Sequence, residues 1–277
     1  MGLRIATNLP SLSAQRSLAG SGREIGKTFA QLSSGTRITK AADDAAGLSI
    51  SEGLKAQIRG YQQAGRNAAD GISMVQTSEG GLSEIANILT RFRELGVQAS
   101  SDTVGDQERG FINKEVEQLR NEADRIAKST RFGRTSLLDG SADRFDFQVD
   151  INNDDFNDRI GFDAGKQNAT ASALGIEGLD FSSKGGARQA LETIDKAQLQ
   201  VNGYRATLGA IQNRLISTTD VIAVAQENLS AANSRIRDTD VAQASAELAK
   251  NNILQTASVS VLSQANAQPN MALKLVA

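Results

Sequence analysis

From Ile194 to Ile236 one set of side chains steps along the chain by three and four residues in strict alternation. The set is Ile194, Ala197, Val201, Tyr204, Leu208, Ile211, Leu215, Thr218, Ile222, Ala225, Leu229, Ala232 and Ile236. Such a repeat averages about 3.5 residues, the period of a coiled-coil seam. At 1.5 Å of rise per residue, these 43 residues form a rod of about 65 Å. A compact globule of 277 residues has a diameter of roughly 50 Å. The rod does not fit inside it, so the pattern predicts an elongated, mainly α-helical molecule. Val201, Leu208, Leu215, Ile222 and Leu229 are its predicted bundle seam.

The first half supplies helices to pair with this rod. Ile58, Tyr61, Gly65, Ala68, Ile72 and Val75, then Leu82, Ile85, Leu89, Phe92, Gly96 and Ala99, keep the same stepping. Ile112, Val116, Leu119, Ala123 and Ile126 mark a shorter helix. Between them, Ser101-Asp102-Thr103-Val104-Gly105-Asp106 concentrates cap and turn residues. The reading is an antiparallel helical pair, completed to a bundle by the 194–236 rod. Aromatics make up 4% of the chain and Trp is absent, and a core of Ala, Leu, Ile and Val with few rings suits long helices in close register. The two prolines, Pro10 and Pro269, lie near the ends, and nothing between them breaks a helix through Pro.

Residues 141–190 differ. They hold five of the nine Phe and eight Asp. Phe145, Phe147, Val149 and Ile151 alternate with polar residues, as a half-buried strand does. Asn152-Asn153-Asp154-Asp155 reads as a turn, and Ile160 and Phe162 alternate on the return. This predicts a β-hairpin capping the distal end of the rod, followed by an irregular Gly/Ala/Ser-rich stretch from Gly165 to Gly186.

Several classes of function lose support. The chain has no Cys and no His, which removes thiol nucleophiles, Cys/His zinc sites, disulfides and the usual neutral-pH acid–base catalyst. A net charge of −2 leaves no basic footprint for nucleic acid. No apolar run approaches the ~20 residues that span a bilayer, and the first residues lack the apolar stretch of a cleaved signal peptide.

Short motifs also favour plain readings. Gly20-Ser21-Gly22 lacks the third glycine of a dinucleotide loop, since position 25 is Ile, and no strand precedes it. Asp150-Ile151-Asn152-Asn153-Asp154 opens like a calcium loop. Its sixth position is Asp155 instead of Gly and its twelfth is Gly161 instead of Glu, so a solvated hairpin turn is the better reading. Asp43 and Asp44 could form a catalytic pair, but no nucleophile or pocket-forming aromatic accompanies them, and an acidic helix N-terminus explains them. Asn168-Ala169-Thr170 and Asn228-Leu229-Ser230 match the glycosylation sequon, and the second lies within the rod. Catalytic, metal and cofactor residues are therefore expected to be absent.

The two ends are amphipathic but poor in apolar surface. Ile5, Leu9 and Leu12, then Ile25, Phe29 and Leu32, sit at helical spacing. Near the C-terminus Val241, Leu248 and Leu262 fall on a heptad interrupted by Gln255. Ordering each backbone residue costs ~1–2 kcal/mol, so each end needs the other, or a neighbouring molecule, in order to fold.

Specific motifs recur in order through both halves. Near the start these are Asn8, Ser11, Leu12, Ala14, Gln15 and Leu18. Next come Leu32-Ser33-Ser34-Gly35-Thr36-Arg37-Ile38, Asp43-Asp44-Ala45-Ala46-Gly47-Leu48, Gln57-Ile58-Arg59-Gly60, Arg66-Asn67-Ala68-Ala69-Asp70-Gly71-Ile72-Ser73 and Gln76-Thr77-Ser78-Glu79-Gly80. The C-terminal part answers with Glu227-Asn228-Leu229, Ala231-Ala232-Asn233-Ser234-Arg235-Ile236, Asp238-Thr239-Asp240 and Ser263-Gln264-Ala265-Asn266-Ala267-Gln268-Pro269. Together these motifs resemble bacterial flagellin, and the resemblance covers roughly 1–140 and 190–277. Pro10 interrupts the usual opening, the ending Leu273-Lys274-Leu275-Val276-Ala277 is less apolar than is typical, and the middle is too short for the family's outer variable domains.

The resemblance implies a non-enzymatic subunit that polymerises into the flagellar filament, outside the cell. Residues 1–42 and 238–277 would be the terminal helices of an inner filament domain. Residues 43–140 and 187–237 would be the helical rod domain, with 141–186 as its hairpin and loop region. Ile5, Leu9, Leu12, Ile25, Phe29, Leu32, Val241, Leu248 and Leu262 would form the inner coiled coil. The family's terminal helices are disordered in the monomer, and its subunits travel unfolded through the flagellar type III apparatus and add beneath a cap. Implied partners are further copies, alone or mixed with other flagellins, a cytoplasmic chaperone on about 238–277, and cap and hook-junction proteins. An innate immune receptor grips the family's long helix, and the matching positions are Arg91, Leu95 and Glu115. A hook–filament junction protein of the same helical family is the alternative, and a helical signalling hairpin is a more distant one.

Overall fold

The computed structural model describes the backbone of residues 7–276 and the side chains of residues 7–269. Ile5 therefore lies outside the described residues. Five long helices carry the fold: α1 (Leu9–Ser34), α2 (Ala45–Ala99), α3 (Asp106–Ser129), α4 (Lys184–Arg237) and α5 (Val241–Val276). Between α3 and α4 lie two antiparallel hairpins, β1 (Arg131–Phe132) with β2 (Thr135–Ser136) and β3 (Arg144–Gln148) with β4 (Arg159–Asp163). The chain divides into two compact units, Met1–Ala56 with Asn228–Ala277, and Gln57–Glu227.

The unit formed by residues 57–227 holds one continuous apolar core. α2 contributes Val75, Leu82, Ile85, Leu89, Phe92, Leu95 and Ala99, and α3 contributes Ile112, Val116, Ala123 and Ala127. α4 supplies Ala187, Ala190, Ile194, Ala197, Val201, Leu208, Ile211 and Leu215. These are the residues that step by three and four, and burying one stripe is what such spacing permits. α3 follows its charge pattern: Asp106 and Glu108 occupy the first turn and Lys128 the last, each complementing the helix dipole.

The connection from α2 to α3 is stitched by Arg109, which is 7% exposed. Its Nε donates to the Ala99 carbonyl at 2.9 Å and its Nη2 to the Ser101 carbonyl at 2.9 Å. Its Nη1 meets Asp106 at 2.7 Å. The last carbonyls of a helix have no partner within it, and a buried guanidinium supplies donors and charge together. Asp102, in the same turn, pairs with Lys184 at the start of α4.

In the second hairpin Phe145 faces Phe162 and Phe147 faces Ile160, as the alternation predicts. Phe162 and Ile160 are buried, and the Phe145 and Phe162 rings stack with centroids 6.1 Å apart. The turn is longer than four residues, since 149–158 all lie between the strands. Its location corrects an expectation. Within this unit the hairpin does not cap the end at the α2–α3 turn. It lies along the opposite part of α2, where Asn67 donates to the Gln148 carbonyl at 3.0 Å and a Cβ at Gly71 would sit 3.1 Å from Phe147. Apolar burial decides this, because Phe147 and Ile151 fit where Gly71 and Gly60 leave room. The Gly165–Gly186 stretch is largely irregular as read, yet it is core: Ala169, Leu174, Ile176 and Phe181 are buried.

In the unit formed by 1–56 and 228–277, α1 and α5 pack on each other. Gly35, at φ 70°, ends α1 in the left-handed conformation that glycine tolerates. The linkers that follow α1 and α4 pair as an antiparallel bridge between Thr36 and Asp238. Arg37 N–H donates to the Arg237 carbonyl at 2.6 Å and Thr239 N–H to the Gly35 carbonyl at 3.0 Å. The Arg37 guanidinium adds a bond to the Ile236 carbonyl at 2.8 Å. Ile38 is buried beneath, and Ser51 donates to Asn233 at 2.8 Å.

Candidate functional site

The α1–α5 pair carries the surface with most chemical potential for association. The helices run antiparallel: Asn8 at the start of α1 meets Ala265 near the end of α5, while Gly35 meets Thr239. On α1 the inward positions are Ser11, Ala14, Leu18, Ser21, Ile25, Thr28 and Leu32, each buried or half-buried. On α5 they are Ala244, Leu248, Asn251, Gln255, Ser258, Leu262 and Ala265. Both series step by three and four, so this is a two-stranded antiparallel coiled coil. Its fully buried members are small: Ser11, Ala14, Thr28, Ala244 and Ala265.

The small seam has a consequence for the larger side chains. Ile25, Leu32, Leu248 and Leu262 lie on it and are half-buried. Leu9, Leu12, Phe29 and Val241 lie off it and are exposed, Phe29 at 65%. Ile253, Leu254, Val259 and Val261 on α5 are exposed too, Ile253 at 68%. Single exposed apolar residues are ordinary, but a concentration on one helical pair marks an interaction surface.

The rod seam shows the reverse. Val201, Leu208 and Leu215 are fully buried, Ile222 is buried, and Leu229, in the other unit, is half-buried. Val201, Leu208 and Leu215 belong to the core of their unit.

Comparison with known proteins decides the family. Residues 5–143 match the model of the bacterial flagellin N-terminal helical region, and residues 191–276 match that of the C-terminal helical region. The chain belongs to the bacterial flagellin family. It is similar to a flagellin of Halalkalibacterium halodurans, with 42% identity over 97% of this chain and 98% of the relative. A flagellar filament core protein of Brachyspira hyodysenteriae is 39% identical over 98% of this chain and 99% of that one. The crystal structure of Bacillus cereus flagellin matches with a TM-score of 0.50 and 29% identity, over 56% of this chain and 88% of that one. The flagellin match makes the chain a structural subunit of the flagellar filament, and not an enzyme. The β3–β4 hairpin and the loop after it fall between the two flagellin regions.

The positions that the flagellin resemblance linked to an immune receptor are only partly at the surface. Arg91 is exposed and bonds Glu115 across to α3 at 2.9 Å and Glu94 at 2.9 Å. Hydrogen bonds to Glu94 and Glu115 hold its guanidinium above the ordinary arginine range. Leu95 is a correction. It is 1% exposed and belongs to the core, because its helical position turns it inward beside Phe92.

The polar motifs serve the backbone. Asp44 accepts from Gly47 N–H at 2.8 Å and so caps α2. Asp43 accepts from the Thr39 hydroxyl and from the Thr39 and Lys40 amides, and those bonds, that from the Thr39 side chain first, hold its carboxyl below the usual range. In the hairpin connection Asp154 accepts from the Phe156 and Asn157 amides and Asp158 from the Asp154 amide. Asn168 is engaged by the Thr170 hydroxyl at 2.7 Å. Among the described residues no group of acidic side chains is placed to hold a metal ion, and no helix is long and apolar enough to cross a membrane.

Sequence reasoning missed the α5 positions that face α1. Ala244 and Ala265 are small and Asn251 and Ser258 are polar, so only the stepping from Leu248 and Leu262 could have found them. It also missed Arg109, for which a cation one turn into a helix after a cap-rich loop was the available signal.

Proposed function

We propose that this flagellin-family subunit polymerises by covering the exposed apolar faces of α1 and α5 with those of neighbouring copies. The concentration of exposed side chains off the α1–α5 seam carries the reading. Each Leu, Ile, Val or Phe taken from water contributes about 1.5–3 kcal/mol. The small seam between α1 and α5 gives much less than that per residue. Assembly then completes and locks a terminal helical pair that the lone subunit holds only marginally, with the inner coiled coil built from 1–42 and 238–277. Residues 43–140 and 187–237 form the rod domain, with 141–186 as its hairpin and loop. Contacts related by a rotation that does not close generate a helical fibre.

The same reading has the chain outside the cell, exported unfolded by the flagellar type III route. The apolar residues of 238–277 suit a cytoplasmic chaperone that masks them before export, and cap and hook-junction proteins meet the growing polymer. Arg91 on the long helix and Glu115 on the neighbouring α3 are the described side chains that an innate immune receptor would meet. The test is seeded assembly viewed by negative-stain electron microscopy. Phe29→Asp and Ile253→Asp should leave the monomer's helical circular dichroism largely intact and abolish fibre growth. Fibres of ordinary length from both variants would overturn the proposal.

A further inference from the structure

α5 contains a proline, Pro269, inside its span. A proline has no N–H, so the carbonyl four residues earlier loses its helical partner. That carbonyl belongs to Ala265. Ala265 is 5% exposed and faces α1, and a buried carbonyl without a donor is costly. The missing donor comes from the other helix: Asn8 Nδ2 donates to the Ala265 carbonyl at 2.8 Å. The Asn8 amide is oriented for this. Its Oδ1 accepts from the Ser11 amide at 3.1 Å and caps α1, which leaves Nδ2 pointing at α5. Beside it, the Ser11 hydroxyl donates to Asn266 Oδ1 at 2.8 Å.

We propose that Asn8 and Pro269 are a matched pair that sets the register of α1 against α5: Pro269 frees the Ala265 carbonyl, and the Asn8 amide occupies it. The seam needs such a device. Its buried members are small and similar in size, so sliding one helix by a heptad changes apolar burial little. A carbonyl that is free at one place along α5, met by an amide at one place along α1, distinguishes the correct register from its neighbours. A single polar pair in a coiled-coil seam acts in this way. The proposal deepens the assembly reading, since the pair that it registers is the one proposed to build the inner filament layer.

The test is a mutant cycle in the full-length chain, read by cross-linking. The natural sequence has no cysteine. Ser11→Cys with Asn266→Cys places a thiol at each of two positions whose native side chains touch. Oxidation of monomer and of seeded fibres should cross-link this reporter efficiently. Adding Asn8→Ser keeps the cap but removes the donor, and pairing in register should fall by about tenfold or more. Adding Pro269→Ala to Asn8→Ser returns the helical donor to the Ala265 carbonyl and should restore cross-linking. A loss with Asn8→Ser that Pro269→Ala fails to rescue would overturn the proposal, as would no loss at all. Absence of fibres from the unsubstituted chain would instead sink the assembly reading, while the monomer cross-links still report on the pair.

Discussion

Two adjacent glycines show how closely packing reads individual positions. Gly80 and Gly81 both sit within α2. A Cβ on Gly80 would meet nothing within 4 Å. One on Gly81 would lie 2.6 Å from the Thr130 hydroxyl and 2.8 Å from Leu138, and Thr130 is held by its own bond to the Ile126 carbonyl at 2.7 Å. Gly80→Ala should therefore raise stability by roughly 0.5–1 kcal/mol through helix propensity. Gly81→Ala gains the same propensity but overpacks a well-filled site at about 1–3 kcal/mol, so it should lower stability. Thermal melts of the two single variants should move in opposite directions, and a shift of the same sign would refute the packing. Arg109 is a third such position. Arg109→Met keeps the stem but strips the donors from the Ala99 and Ser101 carbonyls, and should cost about 1–3 kcal/mol in denaturant unfolding.

The helices and hairpins differ in how far their order could be read in advance. α4 is readable because thirteen positions keep one period and every residue on it that matters to the core is apolar or small. The α1–α5 pair is less so, because a seam lined by Ser, Thr, Asn and Gln does not announce itself by hydrophobicity, and Phe29 at an exposed position draws the eye to the wrong face. β1 and β2 are two residues each around Gly133 at φ 61°, too short for any alternation. The 165–186 stretch buries Ile176 and Phe181 without periodicity, so its sequence reads as loop although its side chains are core. The second hairpin is readable in pairing but not in position, since its docking depends on where α2 leaves space at glycines. That docking predicts strong coupling. Phe162 is fully buried, and Phe162→Ala should cost about 3–5 kcal/mol. Because strands and helices share one core, near-ultraviolet and far-ultraviolet circular dichroism should still melt together, and a separate early loss of the hairpin signal would contradict a shared core.

For the chain taken together, acid should act mainly on the unit formed by 57–227. Asp102, Glu122, Asp139, Asp154, Asp163, Asp180 and Glu192 all lie in it, and each is held below its ordinary carboxylate value. For Asp102 the first cause is the Lys184 side chain, for Asp163 it is Lys166, and for Glu192 it is Lys196. A carboxyl with a depressed pKa in the folded state binds fewer protons there than in the unfolded chain. Its contribution to stability is complete above the unfolded value, about 4, and is lost as pH falls through the folded value. These groups are mostly exposed, so added salt should weaken the effect. The melting temperature should stay level from neutral pH to about pH 5 and drop below about pH 4. Asp102→Asn should lower the neutral-pH melting temperature and make the acid decline shallower, because the contribution it removes is present at neutral pH and already lost in acid. Calorimetry at a series of pH values checks both statements. An unchanged acid slope in Asp102→Asn would mean that the Lys184 contact contributes nothing to holding the α2–α3 turn against α4.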